Sequence, residues 1–68
     1  MKRTNLINLR KEKGYTQIEL ANKAGITDKH YQSLEAGTSD GSVKVWQHLK
    51  ELLEAESIDF LLKQGEEI

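Results

Sequence analysis

The side chains of this 68-residue chain that could do chemistry are cations, amides and a few opposed charges, and none forms a catalytic constellation. No cysteine is present, and the only histidines, His30 and His48, lie far apart, so neither metal ligation nor nucleophilic catalysis is offered. His48 reads as a helix-surface or half-buried residue. Gln17 falls at the first position of an expected helix, where unpaired backbone N–H groups and the helix dipole suit a phosphate. Its amide would add a donor there, or serve simply as an exposed helix former. Lys2, Arg3, Lys11 and Lys13 are solvent-facing candidates for phosphate contact, or plain solubilising charges. Arg10 shares a face with Leu6 and Leu9, and Glu35 adjoins Leu34. An unpaired charge among apolar neighbours is costly, so these two are expected to pair; the alternative is two unrelated surface charges.

The elements that would position these groups centre on Thr16 to Gly37, TQIELANKAGITDKHYQSLEAG. Thr16 with Glu19 forms a T-x-x-E capping box. Leu20, Ala21 and Ala24 then share one helical face, and Gly25 sits where the chain must leave that helix. Thr27 caps a second helix with Asp28 in its first turn, and Gly37 ends the unit. The expected helices cover about 17–23 and 28–36. A small residue at the crossing, a turn glycine and Ile26 as an apolar plug follow in order, while Leu20, Tyr31 and Leu34 fill the angle between the helices. Such an arrangement suits a DNA-binding helix-turn-helix, although an ordinary αα-corner uses the same caps and spacing.

The rest of the chain bounds the reading. Sixty-eight residues make a single domain over 1–68 with a small core, burying about 60% of the unfolded chain's surface. The absence of proline and the abundance of Leu, Lys and Glu favour an all-α fold. No apolar run could span a bilayer, and Met1-Lys2-Arg3-Thr4 leads into an amphipathic helix rather than a signal peptide, so a cytoplasmic protein is expected. The net charge of −1 is unevenly spread. Residues 1–34 hold seven Lys/Arg against three acids, and residues 35–68 hold three Lys against eight acids. A basic face could therefore meet phosphate with an acidic face turned away, with modest electrostatic attraction; the asymmetry could also be a chance feature of a solvated surface.

In order along the chain, helix 1 is expected from Thr4 or Asn5 to Lys13, with Gly14 as its stop and Tyr15 packing beside the Thr16 cap. Ile18 falls on the outer face without a clear purpose. Thr38 to Ser42 is a polar loop with a turn at Asp40-Gly41, and Ser42 caps helix 4, expected from Val43 to Ala55. Its stripe is Val45 or Trp46, Leu49, and Leu52 or Leu53, in two registers that fit equally. Ser57 caps a last helix, Ile58 to Lys63, with Gly65 beyond its end. Ile58, Phe60, Leu61 and Leu62 point in several directions, which either fills the core or leaves apolar surface for a partner subunit.

With TQIELANKAGI followed by Tyr31-x-x-Leu34-Glu35-x-Gly37, the chain resembles the Cro/repressor-type (XRE-like) helix-turn-helix family from Leu6 to about Leu62. The matching positions are Leu6, Leu9, Arg10, Gly14, Thr16, Gln17, Leu20, Ala21, Gly25, Leu34, Glu35 and Gly37. The resemblance implies five helices packed as one compact domain, an internal Arg10–Glu35 ion pair tying helix 1 to helix 3, and helix 3 entering the major groove. It also implies that Asp28, Lys29 and Ser33 face base edges, with Thr27, His30 and Gln32 nearby. Lys29 can donate to guanine O6 and N7, Asp28 can accept from cytosine N4 or orient Lys29, and Gln32 and Ser33 can donate or accept. Asp28 could equally serve only the helix N-terminus. Gln17, Thr38, Ser39 and Lys44 would contact the DNA backbone. The chain departs from the pattern in lacking a proline before helix 4, in carrying the bulky Tyr31, and in the acidic connection Glu54-Ala55-Glu56-Ser57, which could hold an extra residue.

The expectation is therefore a sequence-specific regulator of transcription, a repressor, that binds a double-stranded operator without a cofactor. A homodimer is expected at least on DNA, with helix 5 (Ile58, Phe60, Leu62) as one route to it. The alternative is a protein-interaction module on the same scaffold, of antitoxin or anti-repressor type, suggested by the acidic C-terminal half and the single basic side chain of helix 3.

Overall fold

A computed structural model describes residues 2–64, and every described element is a helix. Helix α1 runs Thr4–Glu12, α2 Gln17–Ala24, α3 Asp28–Ala36, α4 Val43–Leu53 and α5 Ile58–Leu62. Local chemistry accounts for most of these bounds. Thr16 Oγ1 accepts from the Glu19 N–H at 3.1 Å while Glu19 Oε1 accepts from the Thr16 N–H at 2.9 Å, closing the capping box. Thr27, Ser42 and Ser57 each accept from the N–H three residues on, at the starts of α3, α4 and α5. Loss of one such cap costs about 1 kcal/mol. Gly25 and Gly37 end α2 and α3 at φ 78° and 80°, a region that a side chain enters only with strain.

The ends differ from the sequence expectation in four places, the smallest being α2, which runs one residue further, to Ala24. Helix α1 stops at Glu12 rather than Lys13, and the Lys13 N–H caps it by donating to Leu9 O. Helix α4 stops at Leu53 rather than Ala55, because Glu54 turns left-handed at φ 55°. The strain at Glu54 is compensated by the burial of the next residue, Ala55, whose N–H donates back to Lys50 O at 3.0 Å. Helix α5 stops at Leu62, since Lys63 is already extended. Gly65 lies outside the described residues.

Leu6, Leu20, Ala21, Ala24, Tyr31, Leu34, Trp46, Leu49, Leu53, Ala55 and Leu61 form the core. A fully buried leucine contributes about 1.5–3 kcal/mol. Of the two registers open for α4, the chain takes Trp46, Leu49 and Leu53, leaving Val45 and Leu52 at the margin. The deciding contact is polar: Trp46 Nε1 donates to Asp40 O at 2.6 Å and closes the α3–α4 loop over the core. That closure, with the Ser42 cap, starts α4 without a proline. In α5 only Leu61 is fully buried, and Ile58, Phe60 and Leu62 pack half-buried against the core edge. Ile18 remains outward, 57% exposed, and no contact in the fold explains it.

Arg3 overturns its expected place at the solvent. It is 4% exposed, and three carbonyl oxygens accept from its guanidinium: Leu34 at 2.7 Å, Ser39 at 2.8 Å and Leu62 at 3.3 Å. The guanidinium lies 5.2 Å from the centre of the Trp46 ring, and Asp40 Oδ1 stands 3.8 Å away. A planar cation with several fixed donors can satisfy carbonyls from three segments and still stack on an indole, which accounts for its burial. The Arg3 N–H also donates to Glu35 O at 2.8 Å. The start of the chain is thereby bolted to the last turn of α3.

Candidate nucleic-acid interface

Helix α3 divides cleanly between an inner and an outer face. Tyr31, Leu34 and Glu35 are buried, while Lys29 and Gln32 are exposed and Asp28 and Ser33 half-buried. By spacing alone 29, 32 and 33 lie on one side of a helix, opposite 31 and 34, while Asp28 sits at the border, two turns before Glu35 on the same edge. The inner face is fixed by Glu35. Its Oε2 accepts from Arg10 Nε at 2.6 Å and from the Tyr31 hydroxyl at 2.6 Å, and its Oε1 accepts from Gln17 Nε2 at 2.8 Å. Arg10 Nη1 also donates to Tyr15 O at 2.8 Å. One carboxylate thus joins α1, the start of α2 and α3. Its charge is met by the guanidinium of Arg10, a side chain only 11% exposed, so the pair is satisfied where a lone charge would be costly.

The bulk of Tyr31 is accommodated in the core because its hydroxyl donates to Glu35. Burial, then the neighbouring Glu35 carboxylate, pushes the phenol above its ordinary range, so it remains a neutral donor.

The outer residues hold one another more loosely. Thr27 Oγ1 accepts from the His30 N–H at 3.0 Å, so Thr27 acts as the cap of α3. Gln32 Nε2 donates to Asp28 Oδ2 at 3.1 Å, so Asp28 orients Gln32. Ser33 Oγ donates to Lys29 O at 3.3 Å, leaving the oxygen lone pairs outward. Lys29 makes no ion pair with any described residue. After α3, Thr38 is exposed, and the Ser39 carbonyl is held by Arg3. Lys44 is exposed in the first turn of α4. Gln17 is half-buried, and one of its amide hydrogens is committed to Glu35, which orients the rest of the group along the flank of α3. No group of three His, Cys, Asp or Glu among the described residues could hold a metal ion.

Two contributors were not read from the sequence. Arg3 had no signal, because its partners are backbone carbonyls 31 to 59 residues away. The use of the Tyr31 hydroxyl had one, since Tyr31 and Glu35 are four apart on a helix and must face each other.

A helix-turn-helix family model matches residues 6–61, most of the chain, and the chain belongs to that XRE-type helix-turn-helix family. It is accordingly a DNA-binding helix-turn-helix regulator. No curated protein and no solved structure matches it.

Proposed function

We propose that the chain is a sequence-specific repressor that lays α3 in the major groove of a double-stranded operator. The observation that supports this most is the split of α3. Its inner face is locked by Glu35, and its outer face carries Lys29, Gln32 and Ser33 with hydrogen-bonding capacity to spare, Gln32 being held by Asp28 at the border. Lys29 reads guanine through O6 and N7, and Gln32, oriented by Asp28, reads a second base. Gln17, Thr38, Ser39 and Lys44 contact the phosphates on either side and fix the register. Thr27 and His30 flank the bases at the start of α3. No catalytic step belongs to this function.

One reading helix spans few base pairs, so the functional unit is a homodimer on half-sites about 34 Å apart, with the half-buried Ile58, Phe60 and Leu62 of α5 available to the contact. Selection of bound sequences from random duplex DNA tests the proposal. A two-fold symmetric motif is expected. Absence of any enrichment refutes it and favours a protein partner for the same face.

A further inference from the structure

We propose that Lys2 is a DNA-phosphate contact, placed on the flank of α3 by the buried Arg3; the inference rests on the DNA-reading function above and adds a residue to it. Three observations converge. First, the chain at residue 3 is not a loose arm. Its N–H donates to Glu35 O at 2.8 Å, and its guanidinium holds Leu34 O, Ser39 O and Leu62 O. The residue before it is therefore delivered to the C-terminal end of α3. Second, Lys2 lines a cleft of about 230 Å³ together with Gln17, Gln32, Glu35, Ile7 and Ala36. Gln32 belongs to the outer face of α3 and Gln17 to the start of α2, so the cleft opens beside the groove-reading residues. Third, Lys2 is exposed and makes no ion pair with any described residue.

The one acid in the cleft does not compete for Lys2. Both Glu35 oxygens are engaged, by Arg10, Tyr31 and Gln17, and its charge is offset by the Arg10 guanidinium. Lys2 therefore sets the sign of the cleft's field, and the free amide hydrogens of Gln17 and Gln32 add uncharged donors. A singly charged, oxygen-rich group with several acceptors suits that set, which is the chemistry of a backbone phosphodiester at the groove edge. A flexible lysine would lose side-chain entropy on such a contact, but the backbone cost is already met in the free protein by the Arg3 anchoring.

The test is the salt dependence of binding to a random-sequence 20-base-pair duplex, comparing the full chain with Lys2→Ala, Lys2→Arg and Lys23→Ala. Each neutralised phosphate adds about 0.9 to the slope of log K against log salt. Lys2→Ala should lower the slope by about that amount, with an unchanged melting temperature. Between about 50 and 200 mM salt the variant should then lose about 3- to 4-fold less affinity than the parent. Lys2→Arg should keep the parent slope, and so should Lys23→Ala, whose lysine lies beside His48 and Glu51, away from this cleft. An unchanged slope in Lys2→Ala overturns the inference while leaving the DNA-reading function intact. An equal fall in Lys23→Ala overturns it too, because the effect would then be general charge. A parent chain that binds neither this duplex nor any sequence selected from random duplex DNA, at any salt, overturns both.

Discussion

Replacing Tyr31 by Phe isolates one bond of the Glu35 network without emptying the core. The ring stays in its buried place, and only the hydroxyl that donates to Glu35 Oε2 at 2.6 Å is lost. Hydrogen bonds to a charged group contribute about 1.5–3 kcal/mol. Glu35 is 7% exposed and water cannot replace the lost donor, so the full range applies. For a domain of this size 1 kcal/mol moves the melting temperature by about 4–8 °C, which puts the expected fall at roughly 6–24 °C near neutral pH. The pH dependence gives an independent check. The folded Tyr31 holds its proton more tightly than the unfolded chain does, its folded pKa being raised chiefly by burial. Its contribution is therefore fully present below the ordinary tyrosine value of about 10 and is lost as the pH rises beyond it. The loss runs at about 1.4 kcal/mol per pH unit. The stability gap between parent and Tyr31→Phe should then narrow above about pH 10 and close within roughly one to two units, since a 1.5–3 kcal/mol advantage declines at that rate. Urea unfolding of both proteins across this range measures it. Equal stability at neutral pH, or a gap that stays constant through about pH 12, would refute the reasoning.

Three further outcomes follow from the same contacts. Arg10→Met strands Glu35 without its cation and should cost about 3–5 kcal/mol, much of the stability of a chain this short; a melting temperature within a few degrees of the parent would remove the ion pair from the account. Gly41→Ala places a Cβ 2.9 Å from Leu34 Cδ2 and 3.0 Å from Trp46 Nε1 at φ 69°, whereas Gly25→Ala at φ 78° meets open space. Gly41→Ala should therefore be the more destabilising of the two in thermal melts, by more than the roughly 1 kcal/mol that strain alone costs. Lys29→Ala should lose discrimination at one base pair of a selected site by roughly 1–3 kcal/mol; a uniform loss across all sequences would assign Lys29 to phosphate instead.

What the sequence made legible follows from the range of the forces involved. The capping box of Thr16 and Glu19, the glycines at 25 and 37, and the caps at Thr27, Ser42 and Ser57 act within four residues, and each is present as expected. The Arg10–Glu35 contact spans 25 residues but was legible because each charge sits on an apolar stripe and so needs a partner. The register of α4 was not legible. Adjacent positions 45 and 46, or 52 and 53, are both apolar, and the choice is made by Asp40 and Arg3 acting on Trp46 from outside the helix. The stop at Leu53 was missed for a similar reason, since no glycine marks the left-handed Glu54. Arg3 was missed because carbonyl oxygens leave no trace in a residue pattern.

The fate of the cations changes how the charge balance bears on DNA binding. Of the seven Lys and Arg in residues 1–34, Arg3 and Arg10 are spent inside the fold and Lys13 faces Glu54 at 3.0 Å. The basic half is thus less basic to a ligand than its formal charge states, and two of its strongest cations act on carbonyls and a carboxylate of the same chain. Arg3 and Arg10 grip α3 from opposite segments, one at the carbonyls of Leu34 and Glu35 through its side chain and backbone, the other at the Glu35 carboxylate. The positive charge that could have raised general affinity for phosphate is used to fix the orientation of α3. A binder built this way gains little from charge at a distance and must recover affinity from contacts that need the right geometry, which are the contacts that discriminate one sequence from another.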